Sequence, residues 1–520
     1  MKQLVNPILP GFYPDPSILR VEDDFYMITS TFSYYPGIPV FHSRDLRHWE
    51  QIGHVLDRPS QIPLDWRNIS WGIYAPTLRF HNGLYYMITT NIGGGDNFVC
   101  TAEHPAGPWS EPHWIANAPG IDPTLFWDDD GACYMMATGH DEKGQGIWMS
   151  RFDDEKFCIV GERRIVWHGA MQNPWAPEAP HVYKKDGWYY LMIAEGGTEH
   201  YHSVNIARCK DIMGDYTGYQ GNPIVTHRHL GDSYAICNVG HADLVQLKDG
   251  SWYMVLLGSR TYGGYHKNMG RETFIAPVDW SGDWPVVSPG TGRIEWTYPA
   301  PELPDFYVEK KDEDDFTSMV WNTLGTPVNH EYRVDGEKLY IRCQAKGVVP
   351  PVEAPQEPLP NGALGFYGRR QQHMHFSASV TATLPELPSA TCGMTILQHD
   401  FAQIRIEMLH GEKGVTVRAV KQYMTGQWST PDWRRVVEIK GETVIADATA
   451  RLEILADGQE HHLICNGEEV AVINGGFLGS ESCGGFVGAY IGCFASGNGV
   501  ESNEEACFVN FSYKGIEEAL

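Results

Sequence analysis

Residues 120–139 read GIDPTLFWDDDGACYMMATG and contain the pattern that decides the fold. An acidic residue precedes proline, a short strand ends in an aliphatic residue, and a polar turn leads into an aromatic-rich strand. Related copies begin at Asp15, Ala75, Ala179 and His241. The copies start about 50 to 60 residues apart, a spacing that fits four-stranded propeller blades. The repeat therefore predicts five blades that close into a ring.

The repeat stops near residues 295–310 (EWTYPAPELPDFYVEK), where clustered prolines predict a linker. Beyond it, alternating segments such as HFSASVTATL and GVTVRAV predict a β-sandwich. No long segment has helical periodicity. We therefore expect an all-β chain with a propeller domain over 1–300 and a sandwich domain over 311–520. The proline-rich stretch 348–362 predicts a surface loop of the sandwich or, taken alone, a low-complexity linker.

The amino-acid composition limits which partners the protein can bind and indicates its cellular compartment. The formal net charge is −26 and lysine and arginine form no block, so nucleic acid and anionic membrane are not expected partners. Residues 1–11 contain no apolar stretch of signal-peptide length, and no later run reaches about 18 apolar residues. Eleven cysteines without CxxC spacing indicate free thiols. We expect a cytoplasmic, non-membrane protein.

Acidic residues recur at one position of the repeat. Asp15, Asp122 and His241 occupy the same place in blades one, three and five, and Glu178 lies one residue earlier in blade four. An acid before proline often only caps a turn. Because equivalent positions in the innermost strands of a propeller surround one axis, we expect the three acids and the histidine to converge at one mouth of the channel.

Three convergent acids suit the inverting hydrolysis of a glycosidic bond. One carboxylate deprotonates water and one carboxylic acid protonates the leaving oxygen, with the two about 6.5 to 9.5 Å apart. A third acid beside the donor raises the pKa of the donor and keeps it protonated near neutrality. The longer glutamate is expected to be the donor, and the residues alone do not say which aspartate is the base.

The motifs resemble glycoside hydrolase family 43, in particular its β-xylosidase-type members with a C-terminal β-sandwich. They extend over essentially the whole chain and include NPILPGFYPDPS (6–17), GIYAPTLRFHNGLYYMITT (72–90), PEAPHVYKKDGWYYL (177–191), VGHADLV (239–245) and GFYGRRQQH (365–373). The resemblance implies a five-bladed β-propeller followed by a concanavalin-like jelly roll. It also implies the release of a terminal pentose from oligosaccharides.

Carried over residue by residue, the resemblance makes Asp15 the general base, Glu178 the general acid and Asp122 the pKa modulator. His241 matches an axial histidine that contacts a water or a calcium ion in many relatives. One histidine is a poor calcium site, since calcium prefers oxygen ligands. We therefore expect no required cofactor, with Ca²⁺ in the propeller channel as the alternative.

The resemblance also predicts the walls of the sugar pocket. The expected substrate-binding residues of the propeller are Phe32, Trp71, Tyr74, Thr198 and Arg271. Relatives commonly carry tryptophan where Tyr74 stands, and many carry glycine where Trp71 stands, so the preferred pentose is open. A sandwich loop is expected to close the mouth into a blind pocket, and the segment 488–494 (GAYIGCF) with Tyr490 is the candidate.

The expected function is an exo-acting β-xylosidase on β-1,4-xylo-oligosaccharides. An α-L-arabinofuranosidase, or an enzyme with both activities, is the alternative, because relatives of both specificities share these motifs. A non-catalytic sugar-binding propeller would be expected to lack one of the three acids, and none is missing. The Arg-Asp-Pro tripeptide of retaining fructan hydrolases is absent. From the relatives we also expect a homo-oligomer, either a dimer or a tetramer.

Overall fold

The computed structural model describes residues 2–64, 68–171, 175–309, 312–327, 331–345, 347–348, 365–426 and 434–516. Within these ranges the chain forms 38 β-strands and one four-residue helix, so the predicted all-β class is confirmed. No helix in the described ranges has the length and apolar character needed to cross a membrane. The proline-rich stretch predicted at 348–362 lies outside the described residues, except for Val348.

Five antiparallel sheets form the predicted propeller. The first strands are β1 (Gln3–Val5), β2 (Ser17–Val21), β3 (Asp24–Ile28), β4 (Tyr34–Tyr35), β5 (Gly37–Ser43) and β6 (Glu50–Leu56). Blade one has the order β2-β3-β5-β6. The strands of blade two are β7 (Gly72–Ile73), β8 (Thr77–His81), β9 (Leu84–Ile92), β10 (Asn97–Ala102) and β11 (His113–Trp114). Blade two thus has five strands, because both β7 and β8 pair with β9.

Blades three to five each have four strands in sequence order. Blade three consists of β12 (Thr124–Trp127), β13 (Cys133–Asp141), β14 (Gly144–Asp153) and β15 (Cys158–Trp167). Blade four consists of β16 (Glu178–Lys185), β17 (Trp188–Glu195), β18 (Ser203–Cys209) and β19 (Thr217–Gly218). Blade five consists of β20 (Ile236–Gln246), β21 (Trp252–Arg260), β22 (Glu272–Asp279) and β23 (Val286–Val287). Outside the blades, β1 pairs with β24 (Thr297–Pro299).

The blades pack on each other through both faces. The strands β9 and β21 are therefore buried over seven consecutive residues each, with only their terminal residues partly exposed. Such strands read as continuous apolar runs, in contrast to the polar and apolar alternation of a half-exposed strand. This packing explains the aromatic-rich segments that mark each repeat in the sequence.

The C-terminal strands form a two-layer sandwich. They are β25 (Asn322–Leu324), β26 (Tyr332–Asp335), β27 (Lys338–Arg342), β28 (Phe366–Arg370), β29 (His375–Thr383), β30 (Thr391–His399), β31 (Ala402–Gly411), β32 (Gly414–Thr425), β33 (Arg434–Ile445), β34 (Thr449–Asp457), β35 (Glu460–Cys465), β36 (Glu468–Asn474), β37 (Tyr490–Ser496) and β38 (Glu505–Gly515), with helix α1 (Ser480–Cys483) before β37. One sheet has the order β26-β27-β38-β29-β34-β35-β36. The other has the order β33-β32-β31-β30-β37-β28-β25-β4.

The last strand of the second sheet comes from the propeller. Strand β4, in the loop between β3 and β5 of blade one, pairs with β25 of the sandwich. Beside it, Tyr34 stacks on Tyr490 with ring centroids 3.7 Å apart. The guanidinium of Arg370 donates a 2.6 Å hydrogen bond to the carbonyl of Phe12 in the propeller. Backbone pairing and buried side chains thus fix the sandwich next to the propeller residues that precede β2.

Candidate active site

The repeated position has an unusual backbone. Asp15, Asp122, Ala179 and His241 all have left-handed conformations, with φ of 56°, 56°, 53° and 48°. Residues other than glycine adopt this region rarely, because the Cβ atom crowds the following carbonyl. Its recurrence in four blades shows that the four positions are structurally equivalent, as the sequence repeat indicates. Backbone strain of this kind is typically found at functional sites, where it fixes the direction of a side chain.

Asp15 is a buried carboxylate that contacts a guanidinium, a hydroxyl group and a histidine ring. Arg271 donates to Asp15 Oδ1 at 2.7 Å, and the hydroxyl of Ser30 donates to Oδ2. The Nδ1 of His241 lies 3.5 Å from Oδ1. Burial alone would raise the pKa of Asp15, but the charge of Arg271, with His241 and the Ser30 bond, lowers it below its ordinary value. Asp15 is therefore ionised at neutral pH.

Asp122 and Glu178 have the opposite behaviour. Burial raises the pKa of Glu178 to about 7, and the charge of Asp15 adds to the increase while Arg271 opposes it. Burial and the nearby Glu178 raise the pKa of Asp122 well above its ordinary value. Asp122 Oδ2 accepts the backbone N–H of Ala179 at 3.3 Å, which places it beside Glu178 in the chain. The two neighbouring carboxyls therefore retain a proton near neutral pH.

Aromatic side chains form a wall next to the acids. The rings of Phe32 and Tyr74 lie 5.0 Å apart, and burial raises the pKa of Tyr74 to about 12. The guanidinium of Arg271 lies 5.4 Å from the centre of the Phe32 ring and donates to Thr198 Oγ1 at 3.2 Å. Four predicted pocket residues are therefore in one place. Trp71 lies directly before the strand β7 that leads to Tyr74, its ring lies against Gly93, and the residue is 39% exposed.

The prediction that Tyr490 contacts the substrate is wrong. Its side chain is 0% exposed, because it lies in the interdomain core against Tyr34. The sandwich residue that reaches the pocket is Phe486, whose ring is 41% exposed and lies 6.3 Å from the ring of Phe32. The Phe486 carbonyl accepts hydrogen bonds from Arg271 at 3.3 and 3.1 Å.

Other contacts hold this sandwich loop in place. The backbone N–H of Phe486 donates to Ser70 Oγ at 2.9 Å, and Gln398 Nε2 donates to the carbonyl of Val487 at 2.5 Å. Sequence reasoning missed Phe486, although one signal existed: a single aromatic residue lies among glycines in GGFVG at 484–488. Ser30 and Ser70 have no comparable signal, since isolated serines are common in loops.

The surroundings of His241 do not match the preference of calcium. Calcium takes about six to eight oxygen ligands. The carboxylate that lies 3.5 Å from His241 is that of Asp15, which is already paired with Arg271. In the part of the chain that the structure describes, no group of three or more His, Cys, Asp or Glu residues could hold a metal ion. Burial lowers the pKa of His241, so its ring is a neutral hydrogen-bonding group.

Comparison with known proteins gives consistent matches over both domains. Residues 4–285 match the model of glycosyl hydrolases family 43, and residues 313–514 match that of the beta xylosidase C-terminal concanavalin A-like domain. A xylosidase/arabinosidase from Butyrivibrio fibrisolvens is 39% identical over 99% of both chains. A non-reducing end alpha-L-arabinofuranosidase from Bacteroides ovatus is 35% identical over 99% of this chain and 96% of its own. The crystal structure of a xylan beta-1,4-xylosidase from Bacillus halodurans, 30% identical, superposes with a TM-score of 0.87 over 98% of this chain and 100% of its own.

Proposed function

Since the chain belongs to glycosyl hydrolase family 43 and is a glycoside hydrolase, we propose that it is an inverting exo-enzyme that releases terminal xylose from β-1,4-xylo-oligosaccharides. The observation that carries the proposal is the opposite pKa shift of two neighbouring carboxyls, with Asp15 lowered and Glu178 raised to about 7. Two carboxyls whose pKa values are driven apart by their surroundings supply a base and an acid at the same pH.

In the proposed reaction, Asp15 accepts a proton from the attacking water while Glu178 gives a proton to the leaving oxygen. Arg271 and Ser30 hold the carboxylate of Asp15 in place. Of the two carboxyls that retain a proton, Glu178 is the partly exposed one and Asp122 is buried. This difference supports Glu178 as the donor. The charge that adds to the raised pKa of Glu178 is that of Asp15, and Asp122, whose own pKa Glu178 raises, is proposed as the protonated neighbour that orients the donor.

Exo-action is supported by the sandwich loop. Phe486 and the rings of Phe32 and Tyr74 stand together beside the acids, which favours a pocket that accepts one terminal sugar. An α-L-arabinofuranosidase, alone or with xylosidase activity, is the second candidate. It is favoured by relatives named for each activity at similar identity over nearly the full chain.

The deciding measurement is the initial rate on 4-nitrophenyl β-D-xylopyranoside and 4-nitrophenyl α-L-arabinofuranoside, side by side, with and without a calcium chelator. We expect the xyloside to be the better substrate and the chelator to leave both rates unchanged, because the donors around His241 do not suit calcium. A preference for the arabinoside would establish the second candidate. Loss of activity with the chelator would contradict the metal-free mechanism, and no activity on either substrate would contradict the function.

The pH profile of kcat/KM is a second test, since it reports the ionisation of the free enzyme. Asp15 must be ionised, so activity falls only in acid, below the ordinary range of an aspartate. Glu178 must be protonated, so activity falls as the pH rises through about 7. A pentoside whose leaving group is a very acidic phenol needs no proton donor. Its pH profile of kcat/KM should therefore lack the fall above about pH 7. Identical profiles for both kinds of substrate would contradict the role of Glu178.

We also propose a cellular location and an oligomeric state for the enzyme. All eleven cysteines are free, which is consistent with the reducing cytoplasm. The substrates would then be short fragments of xylan that have entered the cell. Neither nucleic acid nor membrane is proposed as a partner, in view of the net charge of −26. A homo-oligomer remains the proposed state, and sedimentation of the purified protein measures it directly.

A further inference from the structure

A cavity of about 760 Å³ lies over blade three, next to the candidate active site. Its walls come from the turn before β12, from β13, β14 and β15, and from residues 176–178, so Glu178 is one of its lining residues. Ligand pockets of about 300 to 1,000 Å³ hold molecules of drug size. The cavity therefore has room for linked sugar rings beyond the terminal sugar.

The position of the cavity places it on the leaving-group side of the scissile bond. Glu178 lines it, whereas Asp15, Asp122 and Arg271 do not. In an inverting hydrolase the acid and the base lie on opposite faces of the scissile bond, and the acid is next to the departing oxygen. A cavity that shares only the acid with the active site is thus placed to receive the leaving group.

Three side chains offer hydrogen-bond donors to this cavity. Arg163 is exposed and lies 5.6 Å from the ring of Trp148, and among the described residues it makes no hydrogen bond or ion pair. The ring of Trp148 is itself fixed, because its indole N–H donates to the carbonyl of Pro119 at 2.9 Å. Stacking on a fixed aromatic ring holds a guanidinium in place and leaves its in-plane N–H groups free.

The second donor is the amide of Gln145. Its Oε1 accepts the backbone N–H of Ala176 at 2.9 Å, which leaves its NH₂ group to donate. His140, on strand β13, also lines the cavity. The other carboxyl that lines the cavity, Asp141, is already paired with His168 at 2.9 Å. The free polar groups of the cavity are therefore mainly donors, and they suit the hydroxyl oxygens of a sugar.

We propose that this cavity binds the leaving-group part of the substrate, and that Arg163 is its specificity-determining residue. The ligand class is an oligosaccharide chain of at least one further sugar, whose hydroxyls accept hydrogen bonds from Arg163 and Gln145. The inference rests on the proposed function, since it takes Glu178 as the proton donor. It implies that the enzyme prefers a sugar to a simple phenol as leaving group.

The test compares kcat/KM of the wild type and Arg163→Ala on an aryl pentoside and on oligosaccharides of two to four sugars ending in the same pentose. For Arg163→Ala we expect a loss of about tenfold on the tri- and tetrasaccharide, from lost hydrogen bonds to a charged group, and an unchanged rate on the aryl pentoside. Arg164→Ala is the matched control. Arg164 is the next residue on β15, pairs with Asp215 and does not line the cavity.

Two outcomes would overturn the inference. An equal loss on all substrates would show that Arg163 only supports the fold of blade three. Unchanged rates on all substrates would show that the leaving group does not reach it. Neither outcome affects the proposed function, which would fail instead if the wild type released no pentose from any substrate of the series.

Discussion

The Asp15→Asn variant is expected to lose about 10⁴-fold in kcat on every pentoside, whatever its leaving group. Activation of water is required for natural and aryl substrates alike, and an amide cannot accept the proton. The substitution keeps the size of the side chain, and its amide oxygen can still accept from Arg271, which now donates to Asp15 Oδ1 at 2.7 Å. Initial rates on an aryl xyloside and on xylobiose, together with the thermal unfolding temperature, measure the effect.

The stereochemistry of the product separates two roles of Asp15. As a base, it leads to inversion, so the first sugar formed from a β-xyloside is the α anomer, visible by NMR before mutarotation. As a nucleophile, it would lead to retention and the β anomer. A β product would contradict the inverting mechanism. Wild-type rates in a folded Asp15→Asn variant would contradict any catalytic role for this residue.

Much of the propeller was predictable because its blades repeat. Each copy has the same turn and the same aromatic strand, so five weak signals support one another. The fifth strand of blade two was not predictable. Strand β7 has two residues and pairs with β9 through Gly72 and Ile73, and no pattern of period two can be read from so short a segment.

The positions of the acids were likewise implied by the repeat, whereas their environment was not. The repeat relates Asp15 to Asp122 and His241, and all three share a left-handed backbone. It cannot show that Ser30 donates to Asp15 or that Arg271 joins Asp15 to the carbonyl of Phe486. The first two contacts depend on how the propeller closes, and the contact of Arg271 with Phe486 depends on how the two domains pack.

The error at Tyr490 has the same origin. In GAYIGCF, any large residue of the strand could face either the pocket or the sandwich core, and alternation alone does not decide between them. The pairing of β4 with β25 brings Tyr34 against Tyr490 and buries it. The sandwich residue at the pocket is therefore Phe486, which lies in the loop before β37. Arg271 contacts both this loop and Asp15, so the sandwich contributes to the position of the proposed base.

The Glu178→Gln variant is expected to distinguish substrates by their leaving group. On xylobiose, whose leaving hydroxyl must be protonated, kcat should fall about 10³- to 10⁴-fold. On a 2,4-dinitrophenyl xyloside, whose leaving group departs as a stable anion, the loss should stay within about tenfold. The pKa of about 7 that makes Glu178 a donor also predicts that the alkaline limb of the xylobiose profile disappears in this variant. Rates on both substrates between pH 4 and about 9 provide the measurement.

Glu195→Gln is the matched control for this prediction. Glu195 is a buried carboxyl of the same blade, and burial raises its pKa too. Its oxygens accept the backbone N–H groups of Ala170 and Met171, so its role is to hold a loop. The control should alter stability and leave the ratio of the two rates unchanged. If Glu178→Gln lowered both rates equally, Glu178 would be structural like Glu195, and the proton donor would have to be Asp122, the other carboxyl that retains a proton.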